Sequence, residues 1–225
     1  MSSDVPSNSP KWPTYELGPP EYIHALGAVS ATFNYLESRF KVLFRIYTRL
    51  PPKASAHLFA KLDNQARVEL FRKCFEEATS SLKYKEALSH FISGYSICAQ
   101  NRNILLHSQA IPLQRTDTGE REVVFFKAPN DFPLTDNMFN LSLRKLQSIA
   151  DSTYAFAVFG SNLAAYVTRR SQRFPADYHR IPVSWPKKPA LPKILTPRPR
   201  LIPKVPQPRP PKTSSVRIAQ SGKTI

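Results

Sequence analysis

The chain has 225 residues, 41% of them apolar, with 22 prolines, two cysteines and a formal net charge of +16. That apolar fraction is enough for a packed core. The two cysteines form no CxxC pair and have no histidine at ligand spacing, which argues against a zinc site and leaves them as buried free thiols, with no metal or cofactor expected.

Charge and proline are unevenly spread. Gln172–Ile225 holds 12 prolines and 12 Lys or Arg against one acid, Asp177, whereas the preceding residues carry 20 basic and 15 acidic side chains. The part able to fold is therefore only mildly basic, and the excess charge belongs to the tail.

In chain order, residues 1–20 read as a flexible polar leader without the apolar stretch of a signal peptide, so cytoplasmic residence is expected. Pro19 and Pro20 followed by Glu21 suit a helix start, since proline presets φ and an early acid complements the dipole. From there Ile23, Leu26, Val29, Phe33, Leu36, Phe40, Leu43, Phe44 and Tyr47 recur at three- and four-residue steps. This predicts a long amphipathic helix, stopped at Pro51-Pro52.

A second helical region is expected over 54–78, with an apolar cluster at Leu58, Phe59 and Leu62 and another from Leu70 to Ala78. Asp63 and Asn64 between them can cap a fresh start and split the region in two. A third helix is expected over 82–107.

Residues 111–115 and 122–127 then flank Thr116-Asp117-Thr118-Gly119, and Val123, Val124, Phe125 and Phe126 are strand formers. This predicts a small β-hairpin insertion over about 111–127. Thr135 or Asp136 can cap a last helix over 136–170, packed through Met138, Leu141, Leu146, Ile149, Thr153, Tyr154, Ala157, Leu163 and Val167. Its greasiest part, 154–167, is broken by Ser161 and Asn162 and is too short to span a bilayer. Four helical regions with short connections predict a mainly all-α fold, an up-and-down antiparallel helical bundle over 21–171. The proline-dense tail, 172–225, is expected to be disordered and to sample polyproline conformations.

The chemistry-bearing stretch is Asn101-Arg102-Asn103-Ile104-Leu105-Leu106-His107-Ser108, at the end of the third helix. Arg102 and Asn103 stand beside apolar neighbours where a plain bundle would place Leu or Ala. Asn103 and His107 are four apart and share a helix face. Arg102 lies about 140° round from His107, a separation its long side chain can bend across toward one cleft.

With Arg102, a polar residue after it and a histidine further along the same helix, the chain resembles the HEPN domains over about residues 20–170. The resemblance implies a helical bundle that pairs as a homodimer, with two motifs meeting at the interface. It also implies metal-independent endoribonuclease activity, in a toxin with an antitoxin partner or in an antiviral effector. The implied chemistry uses the nucleophile that RNA carries, its 2′-hydroxyl. His107 would act as general acid or base, Arg102 would hold the phosphate and offset its growing charge, and Asn103 would orient the imidazole or donate to a phosphate oxygen. The alternative is a non-catalytic helical module, with Arg102 and His107 joining helices or serving the dimer.

Glu37 falls between Phe33, Phe40 and Phe44 on the apolar stripe, where an acid is costly unless paired. It is expected either to salt-bridge Arg102 and orient it, or to reach solvent at the stripe's edge. His24, His57 and His90 are expected on the surface or in packing, and Phe71, Phe75, Tyr154, Phe156 and Phe159 in the core. The tail should be drawn to polyanions, RNA above all, through phosphate contacts. Its Arg200, Pro203 and Pro206 also match the spacing of an SH3-type ligand. A nucleic-acid chaperone working through the tail alone would need no motif.

Overall fold

The computed structural model describes residues 19–114, 121–126, 138–170 and 184–196. Among them are α1 (Pro20–Thr48), α2 (Pro52–Lys61), α3 (Asn64–Ala78), α4 (Leu82–Leu106), β1 (Gln109–Gln114), β2 (Arg121–Phe126), β3 (Met138–Asn140) and α5 (Leu143–Arg170). The fold is mostly helical. The leader up to residue 18 and the turn at 115–120 lie outside the described residues.

Each boundary has a local cause. Pro20 sits in the first turn of α1, where its missing N–H costs nothing, and Glu21 follows. The helix stops at Arg49, whose φ of 56° is left-handed, just ahead of Pro51-Pro52. The second helical region is split at Asp63, whose Oδ1 accepts the Ala66 N–H at 2.8 Å. That cap lets the chain reverse.

Phe59 of α2 meets Phe40 and Phe44 of α1, while Phe71 and Phe75 of α3 meet Tyr47. Thus α2 runs back along α1, and α3 turns again. At the near end the Leu143 N–H donates to the Tyr22 hydroxyl at 3.1 Å, and further along Tyr35 meets Tyr154 at 6.2 Å. These two contacts make α1 and α5 parallel neighbours. The extra α2–α3 reversal is why the first and last helices run in the same direction.

α4 and α5 are antiparallel and cross at two glycines. A Cβ on Gly94 would stand inside the Phe156 ring, and one on Gly160 would press on Phe91. Each helix thus seats a phenylalanine over the other's glycine. A large core surrounds this crossing, with Leu36, Phe40, Phe71, Phe91, Tyr95 and Phe156 all excluded from solvent.

After α4, β1 pairs antiparallel with β2 and β2 with β3. Val123, Phe125 and Phe139 turn their side chains into a second cluster with Ala25, Val29, Ile104 and Leu146. β3 corrects the expected helix start at 136. Met138 is in a strand, Leu141 is buried in the connection, and α5 begins only at Leu143. The expected caps Thr135 and Asp136 lie outside the described residues; at the observed start of α5, Ser142 Oγ accepts the Lys145 N–H at 3.3 Å. Tyr154, expected in the core, is 54% exposed.

The larger correction concerns the tail. Of the 54 residues expected to be disordered, 184–196 pack on the bundle. Trp185 lies edge-on to Tyr84 and Tyr166 at 5.3 and 5.0 Å, and Lys83 sits over its ring at 4.3 Å. His90 Nε2 bonds the Pro189 carbonyl at 2.8 Å. Asn101 donates to the Lys193 carbonyl and accepts from the Leu195 N–H, both at 2.9 Å. Proline forbids helix and weakens strands, but not a strap held by side chains. The remaining tail residues lie outside the described ones.

The glycines give a paired test. Nothing lies within 4 Å of where a Cβ would stand on Gly27, so Gly27→Ala should raise stability by about 0.5–1 kcal/mol through helix propensity. Gly94→Ala should lower it by about 2 kcal/mol or more, because the Phe156 ring has no room to move. Thermal melts of the two variants check both signs.

Candidate functional site

A groove of about 500 Å³ opens where α1, the start of α3 and the end of α4 converge. α1 contributes Phe33, Asn34 and Glu37; the capped start of α3 contributes Asp63, Asn64, Gln65 and Arg67; α4 contributes Arg102 and Asn103. The wall is polar, with four carboxamides, two carboxylates and two guanidiniums beside the Phe33 ring.

The two arginines differ sharply. Arg67 is held by three hydrogen bonds and an aromatic ring. Its Nη1 donates to Glu37 Oε1 at 2.9 Å and to Asn64 Oδ1 at 3.1 Å, its Nε donates to the Phe59 carbonyl at 2.7 Å, and its guanidinium lies 4.3 Å from the Phe59 ring centre. Asn64 Oδ1 also accepts from the Tyr95 hydroxyl at 2.9 Å. Glu37, Arg67, Asn64 and Tyr95 therefore form one connected network between α1, α3 and α4.

Arg102 is half-buried and, among the described residues, bonds only its neighbour, Asn103 Oδ1, at 3.0 Å, with its guanidinium 5.7 Å from the centre of the Phe33 ring. Its Nε is buried with no hydrogen-bond partner among the described residues. Nor does a described carboxylate stand within ion-pair distance of it. A guanidinium carries five donors, and most of those on Arg102 have no partner among the described residues.

Glu37 therefore pairs with Arg67 rather than with Arg102. The restart of the helix at Asp63 delivers Arg67 to Glu37 from a neighbouring element, and the pair neutralises one carboxylate of the groove. Arg102 and Asn103 line the groove; His107 is not among its lining residues. His107 is the exposed residue that ends α4, with φ −103° and ψ 12°, and its N–H still donates to the Asn103 carbonyl at 3.2 Å. Because the backbone leaves the helix there, the four-residue spacing no longer fixes where the imidazole stands relative to Asn103.

Arg67 and Asn64 had a weak signal in the sequence. Asp63-Asn64 reads as a cap, and Arg67 lies one turn further on, where a restarted helix faces back into the bundle. His90 also gains a role: its ring stacks on Phe156 at 5.4 Å while its Nε2 holds the strap. Of the cysteines, Cys98 is buried and Cys74 half-buried, both free, and burial pushes the Cys98 thiol up to about 11. No group of three potential metal-binding side chains occurs among the described residues, and no described helix is long and apolar enough to cross a membrane.

Burial, reinforced by the negative charge of Glu37, raises the Tyr95 phenol to about 12, against the lowering effect of Arg67 and Arg102. A phenol raised in the folded state stabilises the fold below its ordinary value near 10, and this contribution is lost as pH climbs through 12. Denaturant unfolding should therefore show stability falling between pH 10 and 12, and Tyr95→Phe should flatten that decline.

Comparison with protein-family models, with curated proteins and with solved structures finds no match to this chain.

Proposed function

We propose that the chain binds single-stranded RNA, with Arg102 and Asn103 holding the sugar–phosphate backbone in the groove and the basic tail adding phosphate contacts. The single observation that carries this reading is the contrast in one groove between Arg67, held by three hydrogen bonds, and Arg102, whose one bond among the described residues goes to the neighbouring Asn103. A guanidinium suits phosphate because its donors fork onto two oxygens. Asn34, Asn64, Gln65 and Asn103 around it supply the donors and acceptors that read 2′-hydroxyls and unpaired base edges. Of the two carboxylates, Glu37 is neutralised by Arg67, and Asp63 Oδ1 accepts from the first turn of α3. The net charge of +16 supplies the long-range attraction.

A second reading, metal-independent cleavage of the HEPN kind, is favoured by one feature. Leu106, 38% exposed, and the exposed His107 adjoin Arg102 at the end of α4. Pairing two copies across this end would bury Leu106 and bring His107 of one copy toward the other copy's groove. The imidazole would then take the 2′-hydroxyl proton and O2′ would attack phosphorus. The 5′-oxygen would leave with the proton given back by that imidazolium, giving a 2′,3′-cyclic phosphate, while Arg102 offsets the charge on the non-bridging oxygens.

Arg102→Ala should weaken binding of a fluorescein-labelled single-stranded RNA by about tenfold, as expected for loss of a charge-assisted phosphate contact, with little change in melting temperature. Fluorescence anisotropy and a thermal melt measure the two. Equal affinity for wild type and variant would refute the groove as the RNA site. His107→Ala should leave binding intact; if the wild type also cleaves, the variant should not, and cyclic phosphate ends identify the reaction.

A further inference from the structure

Four carboxamides line the Arg102 groove, and an amide can present either its oxygen or its N–H2 group to a ligand. For two of them the surrounding network removes the choice. Asn64 Oδ1 accepts from Arg67 Nη1 at 3.1 Å and from the Tyr95 hydroxyl at 2.9 Å. A guanidinium has no acceptor, so the Asn64 atom that meets it must be the oxygen. Tyr95 is wholly buried, so that oxygen faces the bundle. The Asn64 Nδ2 group is left without a partner among the described residues, on a side chain that lines the groove.

Asn103 is fixed in the same way. Its Oδ1 accepts from Arg102 Nη1 at 3.0 Å, and its Nδ2 group has no partner among the described residues. Arg102 itself can only donate. The three lie together, since the Tyr95 phenol that bonds Asn64 also feels the charge of Arg102. Acceptors on the wall belong to other residues. At Glu37 one oxygen is taken by Arg67, at Asp63 one is taken by the Ala66 N–H, and Gln65 gives its amide N–H to Glu69. Asn64, Arg102 and Asn103 thus form a face of free N–H donors.

Bases differ at the edge that such a face meets. Uracil and guanine carry a keto oxygen, O4 or O6, where cytosine and adenine carry an amino group, N4 or N6. An N–H2 group opposite a keto oxygen gains a hydrogen bond. Opposite an amino group it meets a second donor, and both lose water without return. We propose that Asn64 is a specificity-determining residue: its preset N–H2 group selects a keto base over an amino base beside the phosphate held by Arg102. This rests on the RNA-binding reading above and adds to it which bases the groove takes. Asn103 adds a second N–H2 group to the same face. Presetting matters because an amide free to rotate would serve either kind of base. The network that joins α1, α3 and α4 therefore also holds Asn64 in one orientation.

Octauridylate and octacytidylate carry the same charge and the same sugars, so comparing them isolates the base. By fluorescence anisotropy with labelled oligonucleotides, the full chain should bind octauridylate about fivefold more tightly than octacytidylate. Asn64→Asp keeps an oxygen for Arg67 and Tyr95 and puts a second oxygen where the N–H2 group stood. It should bring the ratio to about one or below, because the added charge weakens both oligonucleotides alike while the acceptor favours cytosine. Its melting temperature should stay near that of the wild type. A merely structural Asn64 would instead lower the melting temperature and leave the ratio alone. If Asn64→Asp fails to fold by circular dichroism, Asn103→Asp decides: it keeps an oxygen for Arg102, turns the neighbouring donor into an acceptor, and should also lower the ratio. Equal binding of the two oligonucleotides by the wild type, or an unchanged ratio in the folded variant, would overturn the selection of keto bases; a loss of affinity in Arg102→Ala would still leave the RNA reading standing. A wild-type chain that binds neither oligonucleotide would end that reading and this inference with it.

Discussion

α4 is packed on three sides and keeps only a narrow exposed stripe through Glu86, Ser96 and Gln100, and much of the molecule follows from that constraint. α1 and α3 pack on it through Tyr95, Phe91 and the Glu37–Arg67–Asn64 network, α5 through Gly94 and Phe156, and the strap through His90 and Asn101. A polar side chain on such a helix must find a partner inside the protein or bear the full penalty of desolvation. Tyr95 finds Asn64, Asn101 finds the strap backbone, and His90 finds a carbonyl. Arg102 is the exception, since its buried Nε has no partner among the described residues.

The groove holds two guanidiniums with different numbers of partners. Arg67 closes a network of three helices, and removing it would strand Glu37, whose side chain is 30% exposed, as well as the Phe59 carbonyl. Arg102, one helix away, contacts Phe33 and bonds Asn103. Two arginines in one groove are thus held differently, and their partners, rather than their residue type, distinguish them.

The strap shows how a proline-rich segment can be ordered without regular secondary structure. Prolines 186, 189 and 192 remove N–H donors that would otherwise need partners. Backbone groups that face the bundle are met by side chains: the Pro189 carbonyl by His90, and the Lys193 carbonyl with the Leu195 N–H by Asn101. Trp185 and Leu195 then bury apolar surface at the two ends. Few contacts are needed because proline leaves little backbone freedom to lose.

Features encoded within a few turns of chain can be read from the residues alone. The apolar stripe of α1, the stop at Pro51-Pro52, the Asp63 cap that separates α2 from α3, and the strand character of Val123 and Phe125 were all legible, because periodicity and capping are local. Long-range packing chose the partners. Glu37 and Arg67 are 30 positions apart, and the strap contacts of Asn101 and His90 span 92 to 99. At such separations composition misleads: proline and charge marked the whole tail as unfolded, although thirteen of its residues, 184–196, found a surface that matched them. The same holds at the motif. The spacing of Arg102, Asn103 and His107 was visible, but where α4 ends, and hence which of the three face the groove, depends on how the chain turns into β1.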